Sequence, residues 1–112
     1  MNTDKKSSEE IAKERADFLW KSAKYLASDA VCELHESHFT YWNKIRDKTI
    51  PSIIVVLEHL AGQFYYWTPP NETNIAQVKS IIAKLENIRL SKPETKNQIT
   101  EPLDLVVNFR YN

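Results

Sequence analysis

The sequence is poor in glycine and cysteine, and both shortages limit what the chain can build. It contains one glycine among 112 residues, whereas β-sandwiches and barrels need many tight turns, most of which use glycine. Cys32 is the only cysteine, so this sequence cannot form an internal disulfide bond or a zinc site built on several cysteines. Neither glycine nor proline occurs between Ser7 and Ile50, and that absence favours helix over the whole span.

The sequence also lacks an excess of charge of one sign. Fifteen basic residues balance fifteen acidic ones, so the chain has no broad positive field of the kind that attracts nucleic acid non-specifically. The first ten residues, MNTDKKSSEE, lead into no apolar segment, and we therefore expect no signal peptide. Together with the single cysteine, this predicts an intracellular location, either cytoplasmic or nuclear.

The most apolar run, Thr49 to Trp67, has the pattern of an amphipathic core helix that starts near Ile50 with Pro51 in its first turn. At 100° per residue, one face is apolar throughout: Ile50, Ile53, Ile54, Leu57, Leu60, Ala61, Phe64 and Trp67. The opposite face contains Glu58, and a charge at mid-bilayer costs roughly 2.5–3.5 kcal/mol. A transmembrane span is therefore not expected. Basic residues before the run and aromatic residues at its end leave a peripheral membrane protein, using residues 50–67, as an alternative.

The N-terminal third predicts a helix that begins with a capping box formed by Ser7 and Glu10. Its apolar residues follow a heptad seam: Ala12, Ala16, Leu19, Ala23, Leu26 and Ala30. We expect Phe18, Trp20 and Tyr25 to flank this seam and widen the buried face. Ser28–Asp29 is a plausible break before a second helix to about Lys48, although one long bent helix from Ser8 to Lys48 fits the pattern almost as well.

One stretch of this first helix resembles a known family. The residues ERADFLWKSAKYL, Glu14 to Leu26, resemble the first helix of the small zinc-ribbon subunits of ribonuclease P and ribonuclease MRP. That family follows its helices with a cysteine-rich ribbon, which this sequence lacks. The resemblance therefore implies a helix here and does not extend to the ribbon.

The C-terminal third predicts one more helix and then an extended segment. Asn74 with Gln77 is typical of a helix start, the helix runs to about Leu90, and Pro93 opens a polar loop. Apolar residues then alternate with period two over residues 103–111, which predicts a strand.

The expected fold is an all-α antiparallel bundle of three or four helices with a C-terminal extended, strand-like tail. Its parts are a disordered N-terminus (1–6), a helical bundle domain (7–90), and a loop with the extended segment (91–112).

The sequence offers little catalytic or metal-binding chemistry. Cys32 and His38 lie about 120° apart on a helix, so Cys32, His35 and His38 do not form a predicted metal site. There is no glycine-rich phosphate loop and no Gly-x-Ser-x-Gly elbow. We therefore predict no enzyme, no catalytic or metal-binding residues and no cofactor.

The predicted strand points to a partner, because its backbone groups need another strand. We therefore expect a non-catalytic protein–protein interaction subunit, an assembly or adaptor component of a larger complex, that binds another protein or a second copy of itself. The predicted partner-binding residues are Leu103, Leu105, Val107, Phe109 and Tyr111. The alternative is a nucleoprotein subunit that contacts RNA or DNA through stacking and positive charge. The predicted contact residues for this alternative are Tyr41, Trp42, Lys44, Arg46 and Lys48.

Overall fold

The computed structural model describes residues 5–37 and 40–110, apart from the side chains of residues 36 and 37, and all regular structure in these ranges is helical. The α-helices are α1 (Ser8–Ser37), α2 (Trp42–Lys44), α3 (Ile50–Phe64), α4 (Glu72–Leu90) and α5 (Lys96–Val107). A π-helical segment, Ile45–Thr49, joins α2 to α3.

The four long helices form an antiparallel bundle, as the sequence predicts. Helix α1 packs against α3 and α5, and α4 packs against the same two helices. The start of α1 lies beside the end of α3, where the Thr68 backbone N–H donates to Glu9 Oε1 at 3.1 Å. The start of α5 lies beside the end of α1, where Lys96 Nζ donates to the His35 carbonyl at 3.4 Å. Short links between α3 and α4 and between α4 and α5 complete the up-and-down connectivity.

Helix α1 buries a narrow face of small residues against its neighbours. Ala16, Ala23, Ala27 and Ala30 are all buried, and side chains of this size let α3 and α5 approach closely. The predicted break at Ser28–Asp29 is wrong, because α1 continues through both residues to Ser37. The next described helix begins at Trp42, so the sequence-based second helix over residues 29–48 is wrong as well.

Helix α3 presents the predicted apolar face to the core. Its buried residues are Ile50, Ile53, Ile54, Leu57, Leu60, Ala61 and Phe64. The π-helical turn before it accommodates Pro51, whose ring would otherwise collide with the Asp47 carbonyl of a regular α-helix. In this wider turn the Ile50 N–H donates to the Ile45 carbonyl, five residues back. The helix ends at Phe64 instead of Trp67.

The C-terminal segment is the main correction to the predicted fold. Residues 96–107 form helix α5, so the strand predicted from residue 103 onward is wrong for residues 103–107. Leu103 and Val106 are buried along with Ile99, which is a helical spacing of four and three residues. The helical bundle therefore includes the segment that the alternating pattern had placed outside it.

A reciprocal capping box starts α5. The Gln98 N–H donates to Thr95 Oγ1 at 3.4 Å, and the Thr95 N–H donates to Gln98 Oε1 at 3.3 Å. Pro102 lies inside this helix and removes one of its backbone donors. Capping and burial of the apolar face therefore stabilise α5 despite the proline.

The residues that follow α5 are bound to helix α1 through Trp20. The Trp20 indole Nε1 donates to the Phe109 carbonyl at 2.9 Å, and the Phe109 side chain is buried. Lys24 Nζ and the Arg110 guanidinium lie 5.2 and 5.6 Å from the centroid of the Trp20 ring, which is within the range of cation–π attraction. Trp20 is thus the anchor for residues 108–110.

We expect Thr95→Ala to lower the free energy of unfolding by about 0.5–2 kcal/mol, because it removes the side-chain acceptor at the start of α5. Thr73→Ala is the matched control, since Thr73 is exposed within α4 and surface changes of this kind stay within about 0.5 kcal/mol. Urea denaturation of both variants measures the difference. Equal midpoints for the two would show that the capping box does not stabilise α5.

A candidate interaction surface on helix α1

The predicted partner-binding residues do not share one exposed face. Leu103 and Phe109 are buried in the chain's own core, Val107 is half-buried, and Leu105 is exposed. Tyr111 lies outside the described residues. Among the described members of this set, residues 103–107 are therefore helical and only Leu105 is exposed.

The predicted nucleic-acid residues form a cluster whose positive charge is largely compensated. Lys44 Nζ bonds to Glu33 Oε1 at 2.9 Å, and this contact raises the pKa of Lys44 above its usual value. The Arg46 guanidinium makes a bidentate contact with the Asp47 carboxylate, with N···O distances of 2.8 and 3.0 Å. This contact lowers the pKa of the Asp47 carboxyl below its usual value.

The other members of this cluster differ in exposure. Lys48 and Tyr41 are exposed, with Lys44 Nζ 6.0 Å from the Tyr41 ring centroid. Trp42 is half-buried against the core. Two of the three cations therefore already have carboxylate partners, and one of the two aromatic rings serves the chain's own packing.

No concentration of metal-binding or catalytic groups stands out within residues 5–37 and 40–110. Among the side chains that the structure describes, no three from His, Cys, Asp or Glu come close enough to hold a metal ion. Cys32 and His35 are exposed, and His38 lies outside the described residues. A depression of about 720 Å³ lies between α4 and α5. The charged side chains that line it are all exposed: Lys84, Lys92, Glu101 and Asp104.

The feature that does stand out is a row of large apolar side chains open to solvent on α1. Ile11, Phe18 and Tyr25 are spaced seven residues apart, and we call them the α1 stripe. Phe18 is 70% exposed and Tyr25 is 72% exposed. The expectation that these two rings widen the buried face is therefore wrong, whereas Trp20 does pack against the core.

Helix geometry explains why the stripe faces outward. At 100° per residue, Phe18 lies 160° around the axis from Ala16 and 140° from Ala23. The alanines contact α3 and α5, so the stripe is on the opposite side of the helix. The seven-residue spacing of residues 11, 18 and 25 is visible in the sequence, and this spacing together with the alanine positions could have identified the exposed row.

The stripe is bordered by shallow depressions that extend its apolar surface. Phe18 and Leu19 of α1, together with His59 and Gln63 of α3, line a depression of about 370 Å³. A second depression of about 410 Å³ lies between Phe18 and Tyr25, with Leu26 in its wall. Concave, apolar spaces next to protruding rings are what side chains of a partner can fill.

Charges of both signs flank the stripe. Glu14 pairs with Lys6, and Lys21 Nζ bonds to Asp17 at 2.9 Å. The side chains of Glu14 and Lys21 are 59% and 67% exposed, so water screens both contacts and they are easily exchanged for others. An apolar centre with a mixed-charge, exposed rim is the ordinary composition of a protein–protein interface.

Comparison of the chain with models of protein families, with curated proteins and with solved structures finds no match in any of the three. Among the residues that the structure describes, no helix combines the length and the apolar character needed to cross a bilayer. A function for this chain is therefore inferred from its own surface.

Proposed function

We propose that the chain is a non-catalytic protein–protein interaction subunit and that the α1 stripe is its contact surface. The observation that carries the proposal is the row of Ile11, Phe18 and Tyr25, which leaves two aromatic rings mostly in water. Aromatic side chains are prominent among the residues that dominate binding energy at protein interfaces. A contiguous apolar surface on a folded domain marks an interaction site more often than a scattered exposed residue does.

The rim of the stripe favours a protein over a nucleic acid or a membrane. Acidic and basic residues are mixed along the N-terminal half of the same helix, as at Glu14, Arg15 and Asp17, so this surface offers no continuous positive charge to phosphate groups. A helix that lies on an anionic membrane carries lysine and arginine along its polar face, whereas here both signs alternate. A protein surface can meet both signs with complementary charges.

Photocrosslinking from the stripe tests the proposal. Tyr25 is replaced by photoreactive benzoylphenylalanine, and Tyr65, which is 53% exposed and lies outside the stripe, is replaced in a matched chain. We expect irradiation of expressing cells to give discrete protein adducts from position 25 and none from position 65. We also expect Phe18→Glu in the same chain to suppress the adducts from position 25.

Two results would contradict the proposal. The first is the absence of adducts from position 25 in a folded chain, which would leave the stripe without a partner. The second is an equal set of adducts from positions 25 and 65, because it would show only non-specific collision. Circular dichroism of each purified chain establishes that the fold is retained.

A further inference from the structure

We propose that the partner at the α1 stripe is a second copy of this chain, packed antiparallel with Phe18 on the two-fold axis. This inference rests on the proposed function, and it adds the identity and the direction of the partner. The symmetry of the stripe, the charges beside it and the area it leaves exposed support this arrangement.

The spacing of the stripe is symmetric about Phe18. Ile11 lies seven positions before Phe18, and Tyr25 lies seven positions after it. In an antiparallel helix pair centred on residue 18, each Ile11 therefore lies opposite the Tyr25 of the other copy, and the two Phe18 rings meet. A two-fold interface requires this kind of self-complementary surface.

The charges beside the stripe are complementary in the same arrangement. Glu14 is four positions before Phe18 and Lys21 is three positions after it, so the antiparallel pairing places Glu14 of one copy beside Lys21 of the other. Both residues are exposed.

A parallel pair would have the opposite electrostatics. It would place Glu14 beside Glu14 and Lys21 beside Lys21, and like charges across an interface oppose association. The charge pattern therefore favours the antiparallel direction.

The exposed area is sufficient for a modest dimer. At the exposures given above, Phe18 and Tyr25 each leave roughly 100–180 Å² open to solvent. With Ile11 and the adjoining surface of α3, two copies bury on the order of 1,000 Å², which is close to the lower limit for a specific interface. We therefore expect an equilibrium between monomer and dimer.

Sedimentation velocity over a concentration series tests the association. We expect the full-length chain to shift from monomer to dimer as its concentration rises from low micromolar toward millimolar. Phe18→Glu places two carboxylates at the two-fold axis, so it should weaken dimerisation by roughly tenfold or more with the helical circular dichroism unchanged. Tyr25→Glu is a second variant with the same expectation. Leu90→Glu alters an exposed residue on α4 and should dimerise as the unmodified chain does.

Cys32 is the only cysteine and is exposed, so a spin label attached to it can be used to determine the direction of packing. It lies fourteen positions beyond Phe18, so nitroxide labels on the two copies of an antiparallel dimer are separated by about 40–45 Å at 1.5 Å per residue. A parallel dimer brings the labels to roughly the 8–10 Å separation of packed helices. Pulsed dipolar spectroscopy distinguishes the two distances.

The outcomes separate this inference from the proposed function. A chain that stays monomeric, while position 25 still crosslinks to another protein, excludes the second copy and leaves the interaction surface in place. A dimer that is insensitive to both Phe18→Glu and Tyr25→Glu, or one with the short label distance, overturns the antiparallel arrangement. A monomer that gives no crosslinked adduct refutes both proposals.

Discussion

Leu103→Ala should lower the free energy of unfolding by about 2–5 kcal/mol, the range for removing a buried leucine side chain from a packed core. Leu105→Ala, two residues further along α5, should cost less than about 1 kcal/mol. Leu103 is fully buried and Leu105 is 40% exposed. The same substitution therefore tests the buried side and the exposed side of one helix. Urea denaturation monitored by circular dichroism measures both changes.

The pair also distinguishes the helix from the strand that the alternating sequence suggests. In a strand, Leu103 and Leu105 would point to the same face, and the two substitutions would have similar effects. Equal shifts of the denaturation midpoint would therefore argue against α5. A large loss for Leu103→Ala alone would place this residue in the core of the bundle.

Leu57→Ala should be equally costly, about 2–5 kcal/mol, because Leu57 is buried in the middle of α3 and its truncation leaves a cavity in the hydrophobic core. Leu57 is 1% exposed, whereas Leu90 at the end of α4 is 76% exposed. Leu90→Ala makes the same chemical change in water and should alter stability by no more than about 0.5 kcal/mol.

Thermal and chemical denaturation of the Leu57 and Leu90 variants should agree on this ranking. The measurement is made at low protein concentration, so that association at the α1 stripe does not add to the apparent stability. Comparable losses for the two substitutions would mean that the buried face of α3 has been assigned incorrectly.

The sequence predicts α3 well because its signal is unambiguous. Ile50, Ile53 and Leu57 recur at helical spacing, and Glu58 lies on the opposite side. Every residue from Ile50 to Phe64 that was assigned to the apolar face is buried. Only the last turn differed, because Trp67 lies beyond the helix end.

The sequence-based prediction is wrong at α5 because the apolar residues there fit both a helical and an alternating spacing. Leu103 belongs both to the alternating series and to the helical series with Ile99 and Val106, and Pro102 argues locally against a helix. Thr95 and Gln98 carried a start signal, but it lay inside a segment interpreted as a loop. Packing against α1 and α4 decides between the two periods, and a single sequence does not contain that information.

The α1 stripe was missed for a different reason. Phe18 and Tyr25 are large and apolar, which by itself predicts burial, whereas their angular position relative to Ala16 and Ala23 places them on the solvent side of α1. The size of a side chain indicates how much burial would stabilise it, but the helix phase determines which way it points.

The bond between Trp20 and Phe109 links positions 89 apart along the chain, and this has a consequence for biosynthesis. A chain made from its N-terminus presents Trp20 to the cell long before the ribosome has added Phe109. During that interval the face of α1 that α5 later covers is open to chaperones and to neighbouring nascent chains. Closure of this long loop is entropically unfavourable until α5 has formed. Phe109 therefore completes the packing of the first helix, so the bundle can close only after this distant residue has been translated.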